Sequence, residues 1–220
     1  MVRDGIYYAL AFAAAGTLAF WLGGALPAAP FFVVGAFCAW FFRDPERALP
    51  VGPVALSPAD GRVMSVVAEA DRQTRISIFL NIFDVHVNRS PITGVIADVT
   101  YQRGKFLVAS RGIASAENEQ NIITIRADDG TVVVVKQIAG LIARRIICTK
   151  SVGDSVKAGE RVGLIKFGSR VDVMLETSAE IGVKVGDHVK GGSSILAFLK
   201  TEQKQMAGAA AGSAQQGAQG

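Results

Sequence analysis

Apolar residues fill the start of the chain, and no charged residue occurs between Gly5 and Phe42. A Gly-Gly pair and two prolines interrupt this run near its middle. The first arm, Ile6 to Leu26, is long enough to span a bilayer, whereas the second, Phe31 to Phe42, has only 12 residues and is too short to cross alone. The pattern predicts a membrane-associated helical hairpin over residues 1–47 that is re-entrant or shallow. Flanking arginines predict that both of its ends lie on the cytoplasmic side.

Beyond Pro53 the pattern changes to short segments that are rich in β-branched residues and bounded by turn residues. It predicts a mainly β domain over residues 48–200. Asp128-Asp-Gly130 indicates a hairpin turn between two of the strands. The remainder, residues 201–220, consists largely of Ala, Gly, Gln and Ser and is predicted to be disordered. Strands are predicted at residues 63–67, 75–81, 95–101, 122–126, 131–137, 162–167, 171–176 and 194–199.

An internal repeat links Val152–Gly159 with Val185–Gly192, at an offset of 33 residues. Each copy places Gly-Asp in a tight turn and a second glycine before an apolar strand, which is typical of the two halves of a biotinyl/lipoyl-like barrel-sandwich. The predicted fold class is therefore mainly β, a barrel-sandwich domain behind an N-terminal hydrophobic membrane hairpin. A fold does not define a function, so a membrane-anchored adaptor or carrier module is the alternative. The sequence shows neither a modifiable hairpin-tip lysine nor a long coiled coil.

The length and charge of the chain limit its domain organisation and its partners. The 220 residues accommodate an anchor and one soluble domain of ordinary size. A net charge of +4, a pI near 9.2 and a mean hydropathy of +0.34 suit an anionic membrane surface. No nucleic-acid motif is present, so no nucleic-acid partner is expected. The two cysteines, Cys38 and Cys148, form neither a disulfide framework nor a metal-binding spacing, which favours a reducing, cytoplasmic environment.

The Gly168-Ser169 pair carries the most specific candidate chemistry. If a base removes the serine proton, the hydroxyl can attack the glycine carbonyl and turn the amide into an ester; elimination and hydrolysis then leave a pyruvoyl group. Glycine suits this role because it has no side chain to obstruct attack. A Gly-Ser pair between strands is more often a simple turn or bulge. The interpretation therefore depends on the other motifs of the chain.

Four segments of the chain follow one another in a characteristic order. They are Phe41-Phe-Arg-Asp-Pro-Glu-Arg47, Ser57-Pro-Ala-Asp-Gly-Arg-Val63, Asn81-Ile-Phe-Asp-Val-His-Val-Asn-Arg-Ser-Pro91 and Phe167-Gly-Ser169. No single motif is specific, but the order of the four is. In this order they resemble the short form of the phosphatidylserine decarboxylases, which are pyruvoyl-dependent enzymes that make phosphatidylethanolamine, and the resemblance runs from about residue 38 to residue 200.

The resemblance implies a self-processing decarboxylase at the cytoplasmic face of the inner membrane. Its catalytic residues would be Ser169, His86 and Asp60, and cleavage after Gly168 would give chains of residues 1–168 and 169–220. His86 would take the serine proton, a task that suits imidazole, while Asp60 would orient His86 as in a triad. Without the resemblance, Asp60 reads as an ordinary Asx-turn residue. The expected cofactor is the pyruvoyl group from Ser169, with no metal, and the partner is phosphatidylserine in the membrane.

Three cations are candidates for binding a substrate phosphate or carboxylate. They are Arg89, Arg62 and Lys105, and a solvated surface position explains each of them about as well. Many longer relatives carry a second histidine at the position of Arg89. Either His86 therefore serves both self-cleavage and decarboxylation, or Arg89 holds an anionic group. A homo-oligomer is compatible with the sequence, which does not specify one.

Overall fold

Two apolar helices form the N-terminal part of the chain. The computed structural model describes residues 2–69, 72–109, 113–141, 145–166 and 168–200, so the predicted tail over residues 201–220 lies outside the described residues. Helix α1 spans Arg3–Gly23 and helix α2 spans Ala25–Phe41. Gly24 joins them with a φ of 83°, a conformation that glycine adopts without strain.

Small residues allow the two helices to approach closely. A Cβ added at Gly16 would lie 3.1 Å from the Phe32 ring, and one added at Gly35 would lie 3.3 Å from the Cβ of Phe12. Since these contacts run in opposite order along the two helices, the helices are antiparallel. By length and composition α1, with 21 residues, is able to cross a membrane, whereas α2, with 17, is a shorter apolar helix.

The second helix begins at Ala25 and not at the predicted Phe31. Pro27 falls in the first turn, where a backbone N–H has no acceptor within the helix, so the ring is tolerated there. Pro30 lies inside the helix and removes one intrahelical hydrogen bond. The prediction that the glycines and prolines together break the apolar run is thus wrong for the prolines, and Gly24 alone forms the break.

The rest of the described chain is mainly β. A third, short helix, α3, spans Ala114–Glu117. The strands are β1 Val54–Leu56, β2 Gly61–Glu69, β3 Gln73–Leu80, β4 Val87–Arg89, β5 Gly94–Gln102, β6 Gln120–Arg126, β7 Val132–Ile138, β8 Ile146–Cys148, β9 Ser155–Val156, β10 Arg161–Ile165, β11 Ser169–Glu176, β12 Glu180–Ile181, β13 His188–Val189 and β14 Ile195–Phe198.

Eight of these strands form one antiparallel sheet that curls into a half-barrel, in the order β13-β2-β3-β11-β7-β6-β5-β9. Strand β11 lies in its middle, between β3 and β7. Two three-stranded sheets, β4-β10-β8 and β1-β14-β12, complete the β structure of the described residues. The apolar core lies on the inner face of the large sheet and includes Val171 and Val173 of β11, both fully buried.

The long strands agree with the prediction from sequence. Each of the eight predicted strands overlaps an observed one, and Asp128-Asp-Gly130 joins β6 to its antiparallel partner β7, with Gly130 at a φ of 92°. The six strands that the sequence did not indicate have two or three residues each: β1, β4, β8, β9, β12 and β13. Segments of this length are too short to show an alternating pattern.

The repeated segments occupy the two opposite edges of the large sheet, as strands β9 and β13. Their hydrogen bonds repeat as well: the Gly153 N–H donates to the Ile96 carbonyl at 2.9 Å, and the Gly186 N–H donates to the Val63 carbonyl at 2.8 Å. All four positions obey the 33-residue offset. The domain therefore has internal two-fold pseudosymmetry, while its assignment as a barrel-sandwich stays a prediction.

Candidate active site

Ser169 is the first residue of the central strand β11 and is completely buried. Its backbone pairs with Leu80 of β3, and the preceding Gly168 has a φ of 60°, in the left-handed region that favours glycine. The Ser169 Oγ has no hydrogen-bond partner among the described residues. Buried hydroxyls are normally hydrogen-bonded, so this oxygen is an exception that calls for a chemical explanation.

The Gly168 carbonyl, which a serine attack would use, is tightly enclosed. A Cβ added at Gly140 would lie only 2.0 Å from the Gly168 carbonyl oxygen and 3.3 Å from the Cβ of Ala109. Gly140 lies two residues after the end of β7, so only a residue without a side chain allows the chain to approach the predicted cleavage position this closely. The Phe167 of the same motif lies outside the described residues.

His86 lies immediately before β4 and is 2% exposed. Its Nδ1 is 2.9 Å from the Asp84 backbone carbonyl. Because a carbonyl oxygen only accepts hydrogen bonds, Nδ1 must carry the proton in this contact. The lone pair of the neutral ring is then on Nε2, which has no partner among the described residues. His86 therefore presents an unoccupied basic nitrogen inside the protein.

Burial keeps this imidazole neutral. The pKa of His86 is lowered from 6.5 to about 4, mainly by burial and to a smaller extent by the charge of Arg43, while the Asp84 carbonyl and the charge of Asp60 oppose the shift. The Phe41 ring, at the end of α2, lies 4.4 Å from the imidazole ring between centroids, with an interplanar angle of 36°. Phe41 is itself 1% exposed, so the last residue of the apolar helix pair shields the candidate base from water.

Two contacts bring the His86 segment over the start of β11. The Ile165 N–H donates to the His86 carbonyl at 3.3 Å, and Ile165 lies four residues before Ser169. Gln137, which is paired with Val171 in the sheet, donates from Nε2 to the Asn88 Oδ1 at 2.9 Å. The segment around His86 therefore contacts β10, which precedes Ser169 in the chain, and β7, which lies beside β11 in the sheet.

The Asp60 carboxylate does not contact the imidazole as predicted. Both of its oxygens accept hydrogen bonds from the Arg47 guanidinium at 2.8 Å, and Oδ1 also accepts the Gly191 N–H at 2.8 Å. The nitrogen that a triad carboxylate would hold, Nδ1 of His86, is already bound to the Asp84 carbonyl. In this structure Asp60 and the Nδ1 of His86 thus have other hydrogen-bond partners, and the expectation that Asp60 orients His86 stays a prediction.

The pseudosymmetry separates two roles of Asp60. Thr93 is its counterpart at the 33-residue offset, and the Thr93 Oγ1 accepts the Ala158 N–H at 3.0 Å, as Asp60 accepts that of Gly191. The hydrogen bond to the following loop is thus a shared feature of both halves. What distinguishes Asp60 is its negative charge and its pairing with Arg47.

The segment that follows α2 binds several of the candidate residues. Asp44 accepts a hydrogen bond from the Arg89 guanidinium at 2.6 Å and also pairs with Arg161. Arg47 holds Asp60, as described. Lys166, three residues before Ser169, pairs with Asp4 of α1 at 2.9 Å. The helix pair and its connecting segment are therefore bound directly to the region around Ser169.

The strand that carries Ser169 is held by buried charges on the outer face of the sheet. Arg170 donates to Asp172 and to Ser77, each at 2.6 Å, and Asp172 also accepts the Ser115 hydroxyl of α3. Asp172 is fully buried and Arg170 is 3% exposed. Breaking such a buried pair leaves an uncompensated charge, which is strongly destabilising. These contacts therefore fix the first residues of β11 in place.

The predicted substrate-binding cations have other environments. Arg89 is buried, and its guanidinium donates to Asp44, to the Pro45 carbonyl and to the Gly159 carbonyl. Its guanidinium is thus occupied by groups of the protein in this structure, and the expectation that Arg89 binds substrate stays a prediction. Arg62 is exposed and donates to a backbone carbonyl at 3.3 Å, and Lys105 is exposed and paired with Glu117.

A cleft of about 530 Å³ opens beside Asp60, between the end of α2 and the second repeat loop. Arg43, Arg47 and Lys190 line it, together with Val85, the neighbour of His86. The Lys190 side chain is exposed. Among the residues that the structure describes, no group of His, Cys, Asp and Glu side chains has the arrangement of a metal site.

Sequence reasoning missed Phe41, Arg47 and Asp44 as parts of the site. All three belong to the motif Phe41–Arg47, whose place in the family pattern was the only signal that it carried. The contact between Lys166 and Asp4 left no signal at all, since it joins positions that are 162 residues apart in the chain.

Comparison with known proteins identifies the family of the chain. The phosphatidylserine decarboxylase family model matches residues 34–197. A phosphatidylserine decarboxylase proenzyme of Solibacter usitatus is 59% identical over 197 residues, which cover 90% of this chain and 96% of that protein. Proenzymes of the same name from Saccharopolyspora erythraea and Cupriavidus pinatubonensis are 48% and 46% identical, covering 76% and 78% of this chain and 75% and 82% of their own lengths.

These similarities define the class first: the relatives are proenzymes, chains named for a processed form. The chain belongs to the phosphatidylserine decarboxylase family. Membership favours the decarboxylase over the adaptor or carrier module as the interpretation of this fold.

Proposed function

We propose that the chain is a proenzyme that cleaves itself between Gly168 and Ser169 and then converts phosphatidylserine into phosphatidylethanolamine and carbon dioxide. The observation that carries the proposal is a pair of buried polar atoms without partners, the Nε2 of His86 and the Oγ of Ser169. One is a base in its neutral form and the other is the hydroxyl that needs a base. Ser169 also directly follows Gly168, whose φ is positive, and this supports an acyl shift.

The proposed self-cleavage proceeds in two stages. In the first, the Ser169 hydroxyl transfers its proton to the Nε2 of His86 while Oγ bonds to the Gly168 carbonyl carbon; the C–N bond then breaks and the serine nitrogen takes up the proton, leaving an ester. In the second, a base removes the Cα proton of residue 169 and the Cβ–O bond breaks, so that Gly168 leaves as a carboxylate and a Cα=Cβ double bond remains. The Cβ atom then takes up a proton as the nitrogen becomes an imine, and water adds to the C=N bond and releases the nitrogen as ammonia.

The residues around Ser169 fit the pyruvoyl group that this reaction would form. The position is buried and at the beginning of a central strand, so the group would be held at a defined place without a competing side-chain partner. When present, such a group supplies a carbonyl that binds the substrate amine covalently and accepts the electron pair left by departing carbon dioxide. His86 would hold or deliver a proton at Nε2.

Asp60 would act through charge and not through direct contact. Its carboxylate raises the pKa of His86 slightly against the larger effect of burial, which would stabilise the imidazolium that forms when His86 accepts the serine proton. Pairing with Arg47 would keep the connecting segment, and hence the Phe41 ring, over the imidazole.

The cationic cleft beside Asp60 is the proposed place of the lipid head group. It opens next to the end of the apolar helix α2, where a head group would arrive from a membrane, and Lys190 offers an exposed ammonium to a phosphodiester. Arg62 and Lys105 stay candidates for weaker contacts. Membrane attachment through a hairpin of residues 1–47, location at the cytoplasmic face of the inner membrane and a homo-oligomeric state are proposed on the sequence arguments given above.

The test is the mass of the protein under denaturing conditions. The wild-type chain should give two fragments that meet at Gly168-Ser169, the smaller one blocked to amino-terminal sequencing. Ser169→Ala should stay intact and inactive because it has no nucleophile. Ser90→Ala is the matched control, since Ser90 is an equally buried serine whose hydroxyl donates to the Ile92 carbonyl; it should still be cleaved. An active wild-type protein of full-length mass would refute the proposal.

A further inference from the structure

An exposed apolar loop adjoins the helix pair at the level of the candidate site. It joins β3 to β4 and consists of residues 81–84, called the 81–84 loop below. Phe83 is 68% exposed and Ile82 is 41% exposed. Single exposed apolar residues are common, but two at the tip of the loop that leads into His86 form a local apolar surface.

The loop is a built structure and not a loose connection. The Asn81 side-chain oxygen accepts the Phe83 N–H at 2.7 Å, and the Asp84 carboxylate accepts the Asn81 N–H at 2.8 Å. These two bonds close the turn from both sides. They fix the backbone of the turn, and the side chain of Phe83 is exposed on its surface.

The exposed ring of Phe83 continues the surface of α2. It lies 6.0 Å from the Trp40 ring, centroid to centroid, in an edge-on arrangement. The Arg43 guanidinium lies 4.2 Å from the centroid of the same Trp40 ring and donates to the Phe83 carbonyl at 2.6 Å. Arg43 therefore links the end of the apolar helix α2 to the 81–84 loop, because it contacts both Trp40 and Phe83.

This combination of side chains has the composition of a membrane interface. Tryptophan and arginine are favoured where hydrocarbon meets head groups, because each has an apolar part and a polar or charged part. Tyr8 of α1 lies at the same end of the helix pair, 5.7 Å from the Phe42 ring between centroids. Phe83 is thus at the depth where the two helices would leave the hydrocarbon.

We propose that the 81–84 loop inserts Phe83 and Ile82 into the interfacial region of a lipid bilayer, as a second membrane contact besides the helix pair. The inference rests on the proposed membrane association of that pair. Its consequence is functional, since the loop leads directly into His86. Insertion would fix the candidate base at the depth of the lipid head groups.

The test uses tryptophan fluorescence in vesicles whose acyl chains carry bromine near the head group, a quencher that acts only at short range. The protein is the full chain with Trp21→Phe and Trp40→Phe, into which Phe83→Trp is introduced. The vesicles contain phosphatidylcholine and phosphatidylglycerol, so no substrate is consumed. The proposal predicts loss of most of the emission of the residue 83 reporter.

A matched control and a reference separate this proposal from the one on which it rests. Val67→Trp, in the same background, places a reporter at a 40% exposed position of β2. Val67 pairs with Arg75 of β3, and Arg75 lies about 20 Å from the 81–84 loop along that strand, at 3.3 to 3.4 Å per residue. This reporter should keep its emission. A chain that retains only Trp21 reports on α1. Quenching of Trp21 without quenching at residue 83 refutes the loop insertion and keeps the helix pair in the membrane, whereas no quenching of either reporter refutes both.

A second measurement ties insertion to turnover. Phe83→Asp should still cleave itself, and it should lose activity towards phosphatidylserine in vesicles more than towards a short-chain phosphatidylserine that is dispersed below its micelle concentration. Val67→Asp should not show this difference between substrates. Equal loss on both substrates would mean that Phe83 supports the fold or the site directly, and would contradict the interfacial role.

Discussion

The contact between Phe41 and His86 allows a sharp test of how the candidate base is kept neutral. The two rings lie 4.4 Å apart and both residues are almost fully buried. Phe41→Leu keeps an apolar side chain at the end of α2 but no longer covers the face of the imidazole. We expect the variant to fold, to cleave itself more slowly at mildly acidic pH and to match the wild type at neutral and alkaline pH.

The size of the effect follows from the pKa of His86. A decrease from 6.5 to about 4 corresponds to a penalty of about 3 kcal/mol on the protonated ring. Phe41 covers one of the two ring faces, so its loss should remove about half of a penalty that arises mainly from desolvation, which returns the pKa to about 5. Only the neutral ring accepts a proton. The wild-type cleavage rate should therefore fall as the pH drops through about 4, and that of Phe41→Leu at a pH about one unit higher.

The assay is synthesis of the proenzyme in a cell-free system with vesicles, followed by denaturing electrophoresis at a series of pH values. Phe37→Leu serves as the matched control, because Phe37 lies one helical turn earlier and contacts Phe41 with its ring 5.8 Å away, centroid to centroid. Identical pH profiles for wild type and Phe41→Leu would refute the shielding argument. If Phe41→Leu does not cleave at any pH, Phe41→Tyr decides: a retained ring should restore the wild-type profile.

Three further predictions concern other parts of the site. Asp60→Thr should keep the hydrogen bond to the following loop, as its symmetry counterpart Thr93 does. It should nevertheless slow self-cleavage about 10- to 100-fold because the negative charge is lost, a range typical of one electrostatic contribution to catalysis. A time course of fragment formation measures this rate, and a wild-type rate would remove Asp60 from the mechanism. Gly140→Ala should slow self-cleavage about tenfold or more, because overpacking against a carbonyl costs about 1 to 3 kcal/mol. Gly182→Ala is the control and should not slow it, since its new Cβ would lie 3.6 Å from the nearest atom. Lys190→Gln should raise KM for phosphatidylserine about tenfold through loss of one charge-assisted hydrogen bond without affecting cleavage. Lys184→Gln, on the other side of β13 and outside the cleft, should change neither.

The extent to which the sequence predicts this fold depends on the length of each element. Strands such as β3 and β11, with eight residues each, carry enough alternation for recognition, and they overlap their predicted positions. The strand β4, which follows His86, has three residues and takes its conformation from hydrogen bonds to β10. Residues that are distant in the chain determine this pairing, so the local sequence pattern does not predict the strand.

The candidate site divides in a similar way. Ser169 and His86 can be recognised from sequence because Ser169 directly follows a glycine, His86 is one of only two histidines, and each lies in a motif of its own. The partners of Asp60 and Arg89 cannot be predicted in this way, since a carboxylate and a guanidinium each have many potential partners in a chain with 19 acidic and 23 basic residues. Only the positions of Arg47 and Asp44 in space decide that Asp60 and Arg89 are taken up by the segment after α2.

The position of Ser169 in the middle of the large sheet has a consequence for what cleavage would leave behind. Strands β11, β13 and β14 all follow the proposed cleavage point, and they are hydrogen-bonded to β3 and β7, to β2 and to β1, respectively, all of which precede it. The two products would be interwoven and not merely associated. Dilution alone would not separate them, because the smaller chain can leave only if the sheet itself comes apart. The scission would thus give a two-chain protein whose subunits have no independent existence.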